Sequence, residues 1–294
     1  MAKDTLAPER YRLLARRYHA GMSVTVSLHR WLAQMGRSGQ QAVVEWLQLF
    51  DLAASILVLA LSPASYTPAN RAFLLRAIYA NTAPILLGFT VLCALVTLVL
   101  TRIVVVTAQS YGLSQYALQL VIRVLVLELI PLTAALFVAL RCTIPDGAEL
   151  LALHAKGQLD MSPGKAWGGM QREVPSRLVA GFFAGIALAA LSSVVVLVVT
   201  YLASYGFTVS GLPNFTRLFG QVFSPAVSVI FVLKILFFCL TVSLVPMASV
   251  LVGMRGAAGM HATTVRTSAE LRGLVRMFSL ILLIETVSLA GNYY

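Results

Sequence analysis

The sequence predicts an all-α, polytopic membrane protein with five transmembrane helices preceded by N-terminal interfacial helices. Three observations predict it. Hydrophobic residues fill 59% of the 294 positions and charged residues only 11%, against about 45–50% apolar and about 25% charged in ordinary globular chains. The apolar residues come in runs long enough to cross a hydrocarbon core of about 30 Å as helix, which takes about 20 residues. Those runs lack the period-two alternation of barrel strands, and a helix satisfies its own backbone hydrogen bonds where water is absent. Soluble domains and intrinsic disorder are excluded on the same grounds.

The first 75 residues read as an amphipathic, interfacial region. Arg12, Arg16, Arg17, His29 and Arg30 are interleaved with Leu13, Leu14, Met22, Val24, Trp31 and Leu32, a composition suited to helices lying on an anionic cytoplasmic surface. Arginines recur through residues 1–37 with no uninterrupted apolar core before a small-residue cleavage site, so no cleavable signal peptide is expected. Residues 43–61 are greasier but carry Glu45 and Asp51 and end at Ser62-Pro63, which predicts a helix embedded in one leaflet.

Five spans follow, at residues 83–106, 116–140, 178–201, 227–252 and 274–290, the second interrupted by Arg123, Glu128 and Pro131. Lys and Arg outnumber Asp and Glu by 22 to 11, and placement gives that excess its meaning. Most cations fall in the N-terminal region, 141–177 and 253–276, whereas 109–114 and 291–294 have none and 204–221 has only Arg217. With five spans the two sets fall on opposite sides, which puts the N-terminus in the cytoplasm and the C-terminus outside. The positive charge thus reads as membrane topology, and no nucleic-acid partner is expected.

Two helix starts are legible on the cytoplasmic side. Asp146-Gly147-Ala148-Glu149 has capping-box spacing and is followed by Leu150, Leu151, Leu153 and His154 before Gly157, predicting a short helix across the inner face. Thr267-Ser268-Ala269-Glu270 precedes Leu271, Leu274, Val275 and Phe278, so the fifth span is expected to begin within the cytoplasmic interface. The uncharged stretch 205–223 carries Phe207, Leu212, Phe215, Leu218 and Phe219, which reads as an interfacial aromatic belt.

No catalytic residue, metal site or cofactor is expected in this chain. Its one Gly-Lys pair, Gly164-Lys165, precedes Ala166 and lacks the earlier glycine of a phosphate-cradling loop. His19, His29, His154 and His261 form no close pair, and Cys93, Cys142 and Cys239 sit in or beside apolar runs as small hydrophobes. Ser192 and Ser193 read as helix-packing residues. Arg123, Glu128, Lys234 and Glu285 each cost a few kcal/mol in hydrocarbon unless they face protein, water or a polar ligand, so they are expected to point inward. Arg102, nearer a span's end, can snorkel. Glu128 lies three residues before Pro131, where a kink and an acid together can shape a cavity. Equally, Glu128 can pair with a cation such as Lys234 to hold two spans in register. Arg123 and Glu128, five apart, do not share a face of an α-helix.

An ordered set of motifs runs from Arg76-Ala77-Ile78-Tyr79 to the end. It contains Leu127-Glu128-Leu129-Ile130-Pro131, an apolar half-span ending at Arg141, Glu149, Pro175-Ser176-Arg177-Leu178-Val179-Ala180-Gly181, Lys234, Ala262-Thr263-Thr264 and Glu285. In this order they resemble the MlaE-type permeases, membrane subunits of ATP-driven lipid transporters associated with MCE-domain proteins. Leu127 stands for the family's Arg, Ile130 for its Gly and Glu285 for its usual Asp. A Gly-rich stretch becomes Leu140-Arg141-Cys142-Thr143-Ile144-Pro145, and a second is partly kept as Gly256-Ala257-Ala258-Gly259. The chain reads as a divergent member.

The resemblance implies a permease domain over residues 76–294 with a cytoplasmic coupling helix at about 147–160. Arg141, Glu149, Leu150, Leu153, His154 and Lys156 then become candidates for ATPase coupling, and Glu128, Pro131, Lys234 and Glu285 for substrate contact or gating. It further implies a bacterial inner-membrane homodimer, a separate cytoplasmic ABC ATPase that uses the ATP, an extracytoplasmic MCE-domain lipid-binding protein, a cytoplasmic STAS-domain protein and phospholipid as cargo. The alternative is an ATPase-independent secondary transporter or channel in which Glu128 and Glu285 carry protons, although no inverted repeat is apparent and five spans divide poorly into halves. A passive membrane anchor would leave the buried charges unexplained.

Overall fold

The computed structural model describes residues 43–63, 66, 68–156, 170–256 and 262–293, and every regular element among them is helical. The N-terminal interfacial helices expected before residue 43 lie outside the described residues. The chain divides into a unit ending at Asp51 and a second from Leu52 to Tyr294. Helix α1 (Val43–Leu61) is long and apolar enough to cross a membrane, which makes six such helices among the described residues by length and composition. Five spans and a one-leaflet helix were expected. Glu45 and Asp51 both fall in the first half of α1, and the ten residues from Leu52 are free of charge. Leu52, Ile56 and Ala60, four apart, form the buried stripe of that second half.

Helix α2 (Pro68–Ser110) runs for 43 residues, roughly 65 Å at 1.5 Å per residue, twice the hydrocarbon thickness. The expected span, 83–106, lies within it, and Pro84 does not end it. Gly112, at φ 72°, closes the helix in the left-handed conformation, and Leu113 N–H reaches back to the Ala108 carbonyl at 2.8 Å.

The second expected span is one helical path of five segments: α3 (Ser114–Ile122), a π-helical stretch (Arg123–Leu129), α4 (Ile130–Val138), a second π stretch (Ala139–Thr143) and α5 (Ile144–Ala155). Each π stretch ends just before an Ile-Pro pair. Ile130 N–H bonds the Leu125 carbonyl and Ile144 N–H bonds the Ala139 carbonyl, both five residues back. The next residue, Pro131 or Pro145, has no N–H, and its ring pushes on the carbonyl four residues earlier. Widening the ladder relieves that clash, so a π stretch stands where a kink was expected at Pro131. The expected coupling helix therefore continues from the membrane helix, beginning at Ile144 rather than Asp146, and residues 157–160 lie outside the described residues.

Helix α6 (Met170–Tyr205) packs along α2 through ridges of residues four apart. On α2 these are Ile85, Phe89, Cys93, Thr97 and Thr101, and on α6 Ala180, Ala184, Leu188, Ser192, Val196 and Thr200, all buried. The stretch 205–223 is largely helical, as α7 (Leu212–Val222). Tyr201 meets Phe215 edge-on at 5.3 Å, and Phe223 meets Phe231 at 6.0 Å, so aromatic contacts tie α7 to both neighbours. Helix α8 (Pro225–Gly256) packs on α6 and on α9 (Ala262–Tyr293). The last helix starts five residues before Thr267, because nothing in Ala262–Arg266 breaks it, and the expected capping box is interior.

Small residues let α6, α8 and α9 approach closely, as helices in lipid require. A Cβ on Gly185 would lie 2.6 Å from Cys239 Sγ, and one on Gly181 would lie 3.1 Å from Ser243 Oγ. On α9, a Cβ on Gly273 would sit 2.8 Å from Ser249 Cβ. Gly185→Ala should therefore lower the melting temperature of the purified protein through overpacking of about 1–3 kcal/mol. Cys239→Ala in the same chain should restore most of the loss, and Gly88→Ala, whose Cβ meets nothing within 4 Å, should not lower stability.

Candidate functional site

Three of the four expected intramembrane charges converge. Lys234 lies nine residues into α8, roughly 14 Å along its axis, with its side chain only 1% exposed. Its ammonium pairs with Glu128 from the first π stretch and with Glu285 Oε2 from α9 at 2.8 Å. It also donates to the Leu127 carbonyl at 3.1 Å. Residue 127 is four before Pro131, so its carbonyl is the one an α-helical ladder would have bonded to the missing N–H. One ammonium thus answers two carboxylates and a backbone carbonyl that Pro131 cannot bond. Phe238, one turn along α8, places its ring 5.7 Å from the ammonium, and Asn292 Nδ2 donates to Glu128 Oε1 at 3.5 Å.

Charges out of water survive when paired and hydrogen-bonded. This cluster joins α8, α9 and the path between α3 and α4, and its ammonium faces protein on every side. Pro131 is buried beside it. Arg123 begins the same π stretch, where an i→i+5 ladder brings residues five apart towards one face. The two side chains nevertheless go to different surroundings, Glu128 to Lys234 and Asn292 and Arg123 to the space between α2 and α3.

Arg123 also lines a cavity of about 420 Å³ between the C-terminal end of α2 and α3. The other walls are Val104, Ala108, Leu113, Tyr116, Ala117, Gln119 and Leu120. The pocket is apolar apart from Gln119, the Tyr116 hydroxyl and one guanidinium.

At the opposite end of the helical path lies a second charged cluster. Arg177 of α6 reaches Asp146 Oδ1 at 3.1 Å and Glu149 Oε2 at 2.9 Å, both on α5, and Glu173 Oε2 at 3.1 Å within α6. Asn81 of α2 donates to Asp146 Oδ2 at 3.2 Å. Among the expected coupling residues, Arg141 and Lys156 are exposed and Glu149 is 63% exposed even while paired. Leu150, by contrast, is fully buried and anchors α5 instead of presenting a surface. Leu153 is half-buried. His154 lies on α5, its side chain outside the described residues. Ser192 and Ser193 are buried in the α6 seam, and Ser193 Oγ donates to the Ala189 carbonyl at 2.7 Å.

Sequence reasoning missed Asn292, Asn81 and the pairing role of Arg177. Glu285, Ser288 and Asn292, three and four apart, do mark one polar face of α9, and Glu173 with Arg177 forms an i,i+4 pair. Nothing local marks Asn81.

Lys234→Met should strand two buried carboxylates and cost about 3–5 kcal/mol, read as a sharp fall in melting temperature and yield. Adding Glu128→Gln to that variant should recover part of the loss. Wild-type stability in the single variant would contradict the geometry.

The family description Permease MlaE matches residues 74–290, which bears out the resemblance read from the sequence. No curated protein matches the chain. The matched stretch runs from within α2 through most of α9 and takes in both charged clusters, and the chain belongs to the MlaE permease family, as a multi-pass membrane permease.

Proposed function

We propose that this chain is the transmembrane permease subunit of an ATP-driven phospholipid transporter, working as two copies. A cytoplasmic ABC ATPase supplies the energy, an extracytoplasmic MCE-domain protein exchanges lipid with the permease, and a cytoplasmic STAS-domain protein attends the complex. The observation that carries the reading is the cavity between α2 and α3. Its volume of about 420 Å³ lies within the range of about 300–1,000 Å³ usual for ligand sites. Apolar walls suit an acyl chain, and the Arg123 guanidinium suits the phosphate of a headgroup, which it can grip through two N–H donors.

Family membership supports the rest. With no phosphate-cradling loop in the sequence, ATP binds to the partner and this chain converts a push into movement of a lipid. Helix α5 is where the push enters: it carries exposed Glu149, is flanked by exposed Arg141 and Lys156, and runs unbroken into the helix that holds Arg123 and Glu128. The setting is the bacterial inner membrane, with α5 on the cytoplasmic side, the cavity in the outer leaflet and the C-terminus in the periplasm. The arginines before residue 43 hold the N-terminus in the cytoplasm, with α1 in the inner leaflet despite its sufficient length. The rival, proton carriage by Glu128 and Glu285 without an ATPase, has less support, because one ammonium engages both carboxylates.

The test is reconstitution. The chain expressed with its genomic neighbours should co-purify with a stoichiometric ATPase, and in vesicles should transfer fluorescent phospholipid only when ATP is supplied. Arg123→Gln should slow transfer about tenfold, as loss of a charged hydrogen bond of about 1.5–3 kcal/mol implies, while exposed Arg102→Gln leaves it unchanged. Solute flux through the isolated chain driven by a pH gradient would overturn the reading.

A further inference from the structure

Asp146 is held from two sides. Its Oδ1 accepts from Arg177 Nη1 of α6 at 3.1 Å, and its Oδ2 accepts from Asn81 Nδ2 of α2 at 3.2 Å. One turn along α5, Glu149 Oε2 accepts from the same Nη1 at 2.9 Å. The other edge of the guanidinium is fixed by Glu173, whose Oε2 accepts from Nε at 3.3 Å and Nη2 at 3.1 Å. A further tie joins α2 to the π stretch directly before α5, because Cys142 Sγ donates to the Asn81 carbonyl at 3.5 Å. Arg177 is buried and Asp146 nearly so.

The rest of the seat of α5 is different in kind. Against α8 it offers Gly147, where an added Cβ would lie 3.3 Å from Val250 Cγ2, and the buried Leu150. Apolar contacts of this type permit sliding, whereas charged hydrogen bonds are directional. Stability alone does not call for one guanidinium facing three carboxylates, since apolar packing of the same volume serves as well or better. What the arrangement adds is a fixed geometry between α5 and the α2–α6 pair, which pack on each other along most of their length.

We infer that Arg177 is a positioning residue: with Asp146 and Asn81 it forms a rigid joint through which any displacement of α5 is delivered to α2 and α6 together. This rests on the reading above that a partner pushes on α5, and it identifies where that push leaves the helix. The cavity wall on α2 is then driven from the cytoplasmic end, alongside the direct path through α4. Without the joint, α5 would still be pushed but would slip against α6.

The joint is tested on the permease alone by spin-label distances between Lys156→Cys, directly after α5, and Arg76→Cys on α2, both exposed positions. The native cysteines are buried and label slowly. The otherwise unchanged chain should give a narrow distribution. Arg177→Gln should broaden it at least twofold, Asn81→Ala by less, and Arg177→Lys should restore part of the order. An unchanged width in Arg177→Gln overturns the inference, and should that variant fail to fold, an unchanged width in Asn81→Ala does the same. In the complete complex, Arg177→Gln should hydrolyse ATP within twofold of the parent rate while lipid transfer falls at least tenfold, and Arg177→Lys should recover transfer. A parallel fall in both activities overturns the positioning role. A parent complex without any ATPase would instead remove the motor from the proposed function, and the distance measurement would still decide the joint.

Discussion

The structure depends on where the ammonium of Lys234 finds its partners. An amine in hydrocarbon needs compensating charge and acceptors, and two carboxylates in hydrocarbon need a cation. Lys234, Glu128 and Glu285 meet both needs at once, and the Leu127 carbonyl completes the set. That carbonyl is available because Pro131 cannot bond it. The proline therefore does more than bend a helix: it exposes a backbone acceptor at the depth where a buried lysine arrives from α8. Moving any one member would leave a buried polar group unanswered, so the three helices are held in a single register.

The two π stretches follow from the same cause and give the second membrane path its mechanical character. Each precedes an Ile-Pro pair, and between them α4 is a short segment with looser ladders at both ends. At one end of the path Arg123 faces an apolar cavity and Glu128 is held by Lys234. At the other, α5 is fastened by Arg177 and Asn81. A helix with firm attachments at its ends and two π stretches between them can change pitch locally without breaking hydrogen bonds to lipid-exposed backbone. Helix α5 is thus the end of a membrane helix rather than an appendage, and motion of α5 has a covalent route to the cavity.

Much of this was legible in the sequence. Composition and run length established helices, the placement of Glu128 before Pro131 marked a special position, and Ser192 and Ser193 read correctly as packing residues. The ordered motifs led to the right family. What was hidden depends on contacts that no local pattern encodes. The Lys234–Glu128 pair, 106 residues apart, was one of the readings the sequence offered, but the Leu127 carbonyl on the same ammonium was not, and Asn81 lies 65 residues from Asp146. A π ladder such as Arg123–Leu129 is invisible to reasoning that assumes 3.6 residues per turn. Helix ends misled for another reason. Thr267-x-x-Glu270 and Asp146-x-x-Glu149 have capping spacing, yet both lie inside helices that start earlier, because capping residues are tolerated wherever tertiary packing already sustains the helix.

The central claim is that Lys234 takes over the hydrogen bond that Pro131 denies to the Leu127 carbonyl. A double-mutant cycle on Pro131→Ala and Lys234→Met, read by reversible unfolding in mixed detergent, tests it most directly. Alanine at 131 supplies the missing N–H, so the cost of losing Lys234 should be smaller in that background by about 1 kcal/mol, the net worth of one such bond. Strict additivity of the two substitutions would contradict the account.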